Sequence, residues 1–99
     1  MAMEKRVGFV GILVEDRGSV PEVNKVLTDY ARLILARLGL PRSQETAAVI
    51  TLVVEANTDE IGALAGRLGK IKGVAVKSAL ARAAASAAAA EGGERRAES

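Results

Sequence analysis

The hydrophobic pattern changes period several times along the chain, and each change marks an element. Lys5 to Glu15 reads KRVGFVGILVE, an apolar, β-branched run between charged ends, which predicts a strand. One side carries Val7, Phe9, Gly11 and Leu13, the other Gly8, Val10, Ile12 and Val14. Neither side is polar, whereas a strand with one wet face alternates. Both faces of this sheet are therefore expected to be covered. Asp16, Arg17 and Gly18 read as a turn. Ser19, Val20, Pro21 and Glu22 match a capping box, in which hydroxyl and carboxylate satisfy each other's backbone amides; Pro21 is tolerated in a first turn. Val20, Val23, Val26, Leu27 and Tyr30 then recur at helical spacing, which predicts a helix from Val20 to about Tyr30.

The next segment, Ala31 to Leu40 (ARLILARLGL), reads two ways. Intrinsic propensity favours continuing the helix. A helix to Leu38 would be apolar almost all round, however, and Gly39 and Pro41 sit where a strand leaves for a loop. Strand is the preferred reading, with Leu33, Leu35 and Gly39 on one side and Ile34, Ala36 and Leu38 on the other. Pro41 to Thr46 is a polar loop of hairpin length. Ala47 to Ala56 is a further strand, again apolar on both sides. Asn57 can cap a second helix, with Glu60 at the capping-box position and Asp59 against the positive helix end. Ile61, Leu64, Ala65 and Leu68 carry its apolar stripe, and Gly69 is placed to end it. Gly73 to Ala79 is a short last strand. The order βαββαβ is the ferredoxin-like plan of an α+β domain: a four-stranded antiparallel sheet with two helices on one face. Residues 1–80 form that domain. Residues 81–99 are alanine-rich and then polar around Gly92-Gly93, a low-complexity tail read as a fraying helix or disordered.

Composition narrows the chemistry more than the fold. The 99 residues include no cysteine and no histidine. Disulfides, thiolate metal sites, cysteine nucleophiles and the Ser-His-Asp arrangement are thereby excluded. No nucleophile–base pair can be assembled, so the chain is read as non-enzymatic, with no catalytic residue and no cofactor. The net charge is +2, with neither sign collected in a block, so no nucleic-acid footprint is evident. Arg37, Arg42, Arg67, Lys70, Lys72 and Lys77 are only loosely basic, and Phe9 alone among the strand residues could stack a base. No apolar stretch is long enough to span a membrane. Met1 to Arg6 leads straight into a strand without a signal-peptide core, and a cytoplasmic protein is expected.

Several constellations remain. Glu15 and Asp16, beside Arg17, Gly18 and Ser19, lie where a strand hands over to a helix N-terminus, whose free amides favour anions. This loop is a candidate ligand site, although an ordinary solvated turn is the preferred reading of these residues alone. Adjacent strand residues point apart, which argues against paired-carboxylate catalysis. Gly8 and Gly11 lack the third glycine of a dinucleotide fingerprint and are better explained by close approach of another backbone. Gly62 and Gly66 share one helix face and are expected to allow tight packing on the sheet or on a second subunit. A metal would have only Glu15, Asp16, Asp59 and Glu60 to bind it, and two of these are explained as helix-capping residues.

The segments KRVGFVGILVEDRGSVPEVNKVL, ARLGLP and ITLVVEANTDEIGALAGRLGKIKGVAVKSAL together resemble the iron-only hydrogenase system regulator family. These are small ACT-like proteins related in fold to the C-terminal domain of the nickel-responsive regulator. The resemblance spans residues 4–80. It implies a regulatory, non-catalytic module that assembles through its sheet. ACT-type domains bind small molecules, often amino acids, at subunit interfaces near the first strand–helix loop. By position that loop is Glu15, Asp16, Arg17, Gly18 and Ser19, with Arg37, Gly39, Leu40 and Pro41 as the neighbouring wall. The nickel site does not carry over, because it needs histidine and cysteine. Nothing in the chain matches the ribbon-helix-helix DNA-binding arm. The expectation is a homo-oligomer, dimer or tetramer, that senses a small ligand without contacting nucleic acid or membrane. The alternative is a ligand-free protein-interaction module that uses the second sheet face.

Overall fold

The computed structural model describes residues 4–40 and 47–82. The expected Pro41 to Thr46 loop and almost all of the alanine-rich tail lie outside the described residues. The elements are β1 (Arg6–Val14), a 3-10 turn (Arg17–Ser19), α1 (Val20–Asp29), a second 3-10 turn (Ala31–Leu33), β2 (Ile34–Leu40), β3 (Ala48–Ala56), α2 (Thr58–Gly69) and β4 (Val74–Leu80). The sheet order is β2-β3-β1-β4, with every neighbouring pair antiparallel. This is the ferredoxin-like α+β plan read from the sequence.

Side-chain alternation divides the sheet into two faces. Val10, Ile12 and Val14 of β1 and Leu52, Val54 and Ala56 of β3 point inward and are buried. The helices cover them with Val23, Val26 and Leu27 of α1 and Ile61, Leu64 and Leu68 of α2. Removing each such side chain from water contributes roughly 1.5–3 kcal/mol, and this single layer forms the core. The opposite face, led by Val7, Phe9 and Leu13, is covered by none of the described elements.

The ambiguous segment is a strand over most of its length, the preferred reading, and α1 does not continue into it. Ala31–Leu33 makes one 3-10 turn that buries Leu33, and the strand begins at Ile34. A bulge follows, since Ile34 pairs with Val54 but Ala36 pairs with Val53. Leu35 is the extra residue, and an extra residue flips everything beyond it to the other face. The expected face of Ile34, Ala36 and Leu38 is therefore split. Ile34 packs against the core, whereas Ala36, Leu38 and Leu40 join the outer face.

Three expectations about caps and glycines are corrected. Ser19 makes no side-chain cap bond to α1; its hydroxyl donates instead to the Lys72 carbonyl at 2.6 Å. Its backbone is already helical (φ −88°, ψ −6°) as the end of the 3-10 turn, so the hydroxyl is turned away from the amide it was expected to cap. Gly69 is the last residue of α2 rather than a left-handed cap; the one positive φ among the described residues is at Gly73, +72°. Gly62 and Gly66 do not face the sheet. A Cβ at either would meet nothing within 4 Å. Other expectations hold. Asn57 and Glu60 form the full capping box, at 2.8 and 3.0 Å. Gly8 admits a neighbouring backbone, because a Cβ there would collide with the Ala79 carbonyl oxygen.

Candidate functional site

The first strand–helix loop is built by its own short-range hydrogen bonds. β1 ends at Val14, and the Glu15 amide then donates to the Gly73 carbonyl at 2.7 Å, tying the loop to the start of β4. The Asp16 carboxylate accepts from the Gly18 amide at 3.0 Å, an Asx turn that bends the chain without glycine-specific angles. Ser19, only 7% exposed, is pinned to Lys72. Pro21, in the first turn of α1, has no amide to leave unsatisfied. The loop Glu15–Ser19 is thus cradled by Lys72 and Gly73, sequence neighbours of each other but more than fifty residues downstream.

Gly73 makes this junction possible. A Cβ there would lie 2.5 Å from the Asp16 Cβ and 3.0 Å from its backbone nitrogen. Asp16 and Lys72 also approach to 3.9 Å, with the lysine side chain largely in solvent, and an ion pair of that kind contributes little. Sequence reasoning found the loop but not its cradle. The signal available was Gly73 itself, a lone glycine between a helix end and a strand.

The seven candidate residues fall in two places. Glu15, Asp16, Arg17, Gly18 and Ser19 sit together, with Arg17 and Gly18 exposed and Ser19 enclosed. Arg37 and Gly39 lie on edge strand β2, on the helix side, opposite Leu52 and Ile50. Those residues pair in turn with Val10 and Ile12 of β1. With strands about 4.8 Å apart and residues about 3.3 Å apart, Gly39 lies roughly 14 Å from Glu15, and Arg37 roughly 19 Å. One protomer does not bring the two groups together. Arg37 lines an open groove of about 300 Å³ with Leu27, Thr28, Ala31 and Ile34, at the small end of ligand pockets.

The Ser19 hydroxyl is committed to a carbonyl, and no group of three or more potential metal ligands occurs among the described residues. No described helix is long and apolar enough to cross a membrane. The strongest electrostatic arrangement serves structure. At the start of α2, the Asn57 amide holds the Glu60 carboxyl below its ordinary pKa, with Lys5 and Arg32 adding attraction at 3.5 and 3.7 Å. At the other end, Arg67 lies 5.4 Å over the Tyr30 ring and 3.1 Å from Asp29, which joins α2 to the end of α1.

The profile of one family, described as "TM1266-like: Iron-only hydrogenase system regulator, putative", matches residues 6–78, from β1 into β4. The chain belongs to this family. Among solved structures, TM1266 from Thermotoga maritima is 42% identical, with a TM-score of 0.75, covering 80% of this chain and 100% of that one. The ACT domain of GTP pyrophosphokinase from Chlorobium tepidum, in its solution structure, is 21% identical at a TM-score of 0.62, covering 83% of this chain and 97% of that one. Its crystal structure gives 18% and 0.60. At those identities the likeness is one of fold, and it establishes the ACT-like arrangement. No curated protein matches the chain. The family's description is that of a regulator, and it indicates no enzymatic activity.

Proposed function

We propose that this chain is a cytoplasmic, homo-oligomeric regulatory module that binds a small ligand between subunits, near Glu15–Ser19 and Arg37–Gly39. The observation that carries the reading is the outer sheet face. Phe9 is 50% exposed and Leu38 67%, with Val7, Leu13, Leu40 and Val53 beside them. Exposed apolar area of this extent is a mark of an interaction surface, and covering it with a second copy removes it from water at roughly 25 cal/mol per Å².

Two measurements on the full chain test this. Sedimentation equilibrium at micromolar concentration is expected to give a dimer or tetramer, and a monomer there overturns the assembly. Thermal melts with each of the twenty amino acids, the ligand class implied by the family resemblance, are expected to show stabilisation by one chemical class. A ligand at 100 times its Kd adds about 2.7 kcal/mol. That stabilisation is expected to disappear in Arg37→Ala. An oligomer that no amino acid stabilises, and that co-purifies with a stoichiometric protein partner, would replace the sensor with a protein-interaction module.

A further inference from the structure

We propose that the outer sheet face forms a two-fold dimer of one particular register, in which Glu55 of each copy meets Lys77 of the partner subunit across an axis through Phe9. This rests on the homo-oligomeric reading above and adds the geometry that reading lacks. Among the described strand residues pointing outward, Glu55 and Lys77 are the only charged ones. Both are exposed, and neither has an ion-pair partner among the described residues. They are opposite in sign and flank the central apolar residues, the arrangement a self-complementary surface needs.

Their positions define the axis. Glu55 lies on β3 opposite Val7, and Lys77 lies on β4 opposite Gly11. Phe9 stands midway between Val7 and Gly11 on the strand between them. With strands about 4.8 Å apart and residues about 3.3 Å apart, the two charges are roughly 16 Å apart with Phe9 at the midpoint. A two-fold that turns one face onto another must lie in the interface plane. The axis through Phe9 perpendicular to the Glu55–Lys77 line exchanges the two positions and sets each charge opposite its complement.

Followed toward β2, the same axis passes between Val53 and Thr51 and reaches Leu38, which pairs with Thr51 opposite Gly11. Phe9 and Leu38, among the most exposed large apolar side chains, therefore lie on the axis, each against its own copy. Gly11 supplies room beside Phe9. A Cβ there would meet nothing nearer than 3.8 Å within the protomer, so the protomer does not require a glycine, whereas a partner's ring can use the dent. The strands of the two sheets cross at about 70° in this register, nearer the orthogonal than the aligned class of sheet packing.

The test uses five samples of the full chain, wild type included, in sedimentation equilibrium at low salt, where exposed charge pairs are least screened. Glu55→Lys and Lys77→Glu are each expected to raise the dimer dissociation constant at least about tenfold, since each places two like-charge contacts in every dimer. An equimolar mixture of the two variants is expected to associate as tightly as wild type, because both cross-interface pairs in the mixed dimer are again opposite in sign. The doubly substituted chain is expected to recover as well. Both positions are exposed, and unchanged melting of the dilute single variants establishes that the fold is intact. Single variants that dimerise like wild type, or a mixture no tighter than its components, overturn this register while the wild-type dimer stands. A monomeric wild type overturns the assembly and the register together.

Discussion

Replacing Gly73 by alanine is expected to destabilise the protein by about 3 kcal/mol, although it adds a single methyl group. Two effects combine. The backbone at Gly73 has φ +72°, which costs an L-residue roughly 1–2 kcal/mol. The added Cβ would also lie 2.5 Å from the Asp16 Cβ and 3.0 Å from the Asp16 nitrogen, and overpacking of this sort costs typically about 1–3 kcal/mol. The colliding atoms include backbone held by the Glu15–Gly73 hydrogen bond at 2.7 Å, so they cannot rotate away. For a domain of this size, 1 kcal/mol moves the melting temperature by roughly 4–8 °C, so a drop of about 12–24 °C is expected. Far-UV circular dichroism melts at one fixed protomer concentration measure it, since association shifts apparent stability. The same substitution at Gly62 or Gly66 provides the contrast. There a Cβ meets nothing within 4 Å on an ordinary helix, and alanine is expected to stabilise by roughly 0.5–1 kcal/mol. A Gly73→Ala melt within about 3 °C of wild type, or a loss at Gly62, would refute the reasoning.

Four further outcomes follow from particular contacts. Ser19→Ala removes the hydroxyl that satisfies the Lys72 carbonyl and is expected to cost about 1 kcal/mol in urea unfolding, whereas Glu22→Ala, which would remove the second half of a capping box, is expected to cost much less, since no such box forms at Ser19. Asn57→Ala is expected to cost about 1 kcal/mol by removing the cap of α2. The Glu60 carboxyl, lowered in pKa chiefly by the Asn57 amide, contributes stability above its unfolded pKa and loses it as pH falls through the lowered folded value. The stability gap between wild type and Glu60→Gln is therefore expected to be full at neutral pH and to close on acidification below about pH 5, and a gap that persists unchanged in acid would contradict this. Gly8→Ala is expected to lower stability by at least about 2 kcal/mol, read in the same urea titrations, because the obstacle is the Ala79 backbone of the paired strand.

The βαββαβ order was legible in the chain because each element writes its own period. β1, β3, α1, α2 and β4 appear within a residue or two of where alternation, apolar stripes and the Asn57–Glu60 box place them. The absence of cysteine and histidine likewise bounds the chemistry whatever the fold. Those features are local, and local propensity carries them.

What needed the tertiary structure were contacts between segments far apart in sequence. Ser19 looked like a cap because Glu22 follows at the right spacing; only the approach of Lys72 makes a carbonyl its partner instead. Gly62, Gly66 and Gly73 are indistinguishable as letters, yet one faces Asp16 and two face open space. The bulge at Leu35 reversed the sidedness of Leu38 and Leu40, since register is set by the partner strand and not by the strand itself. The sequence by itself determined that both faces of the sheet are apolar. The structure decided which face the helices cover, because two helices can pack over only one side of four strands, and the other side, with Phe9 at its centre, is left uncovered by any described element.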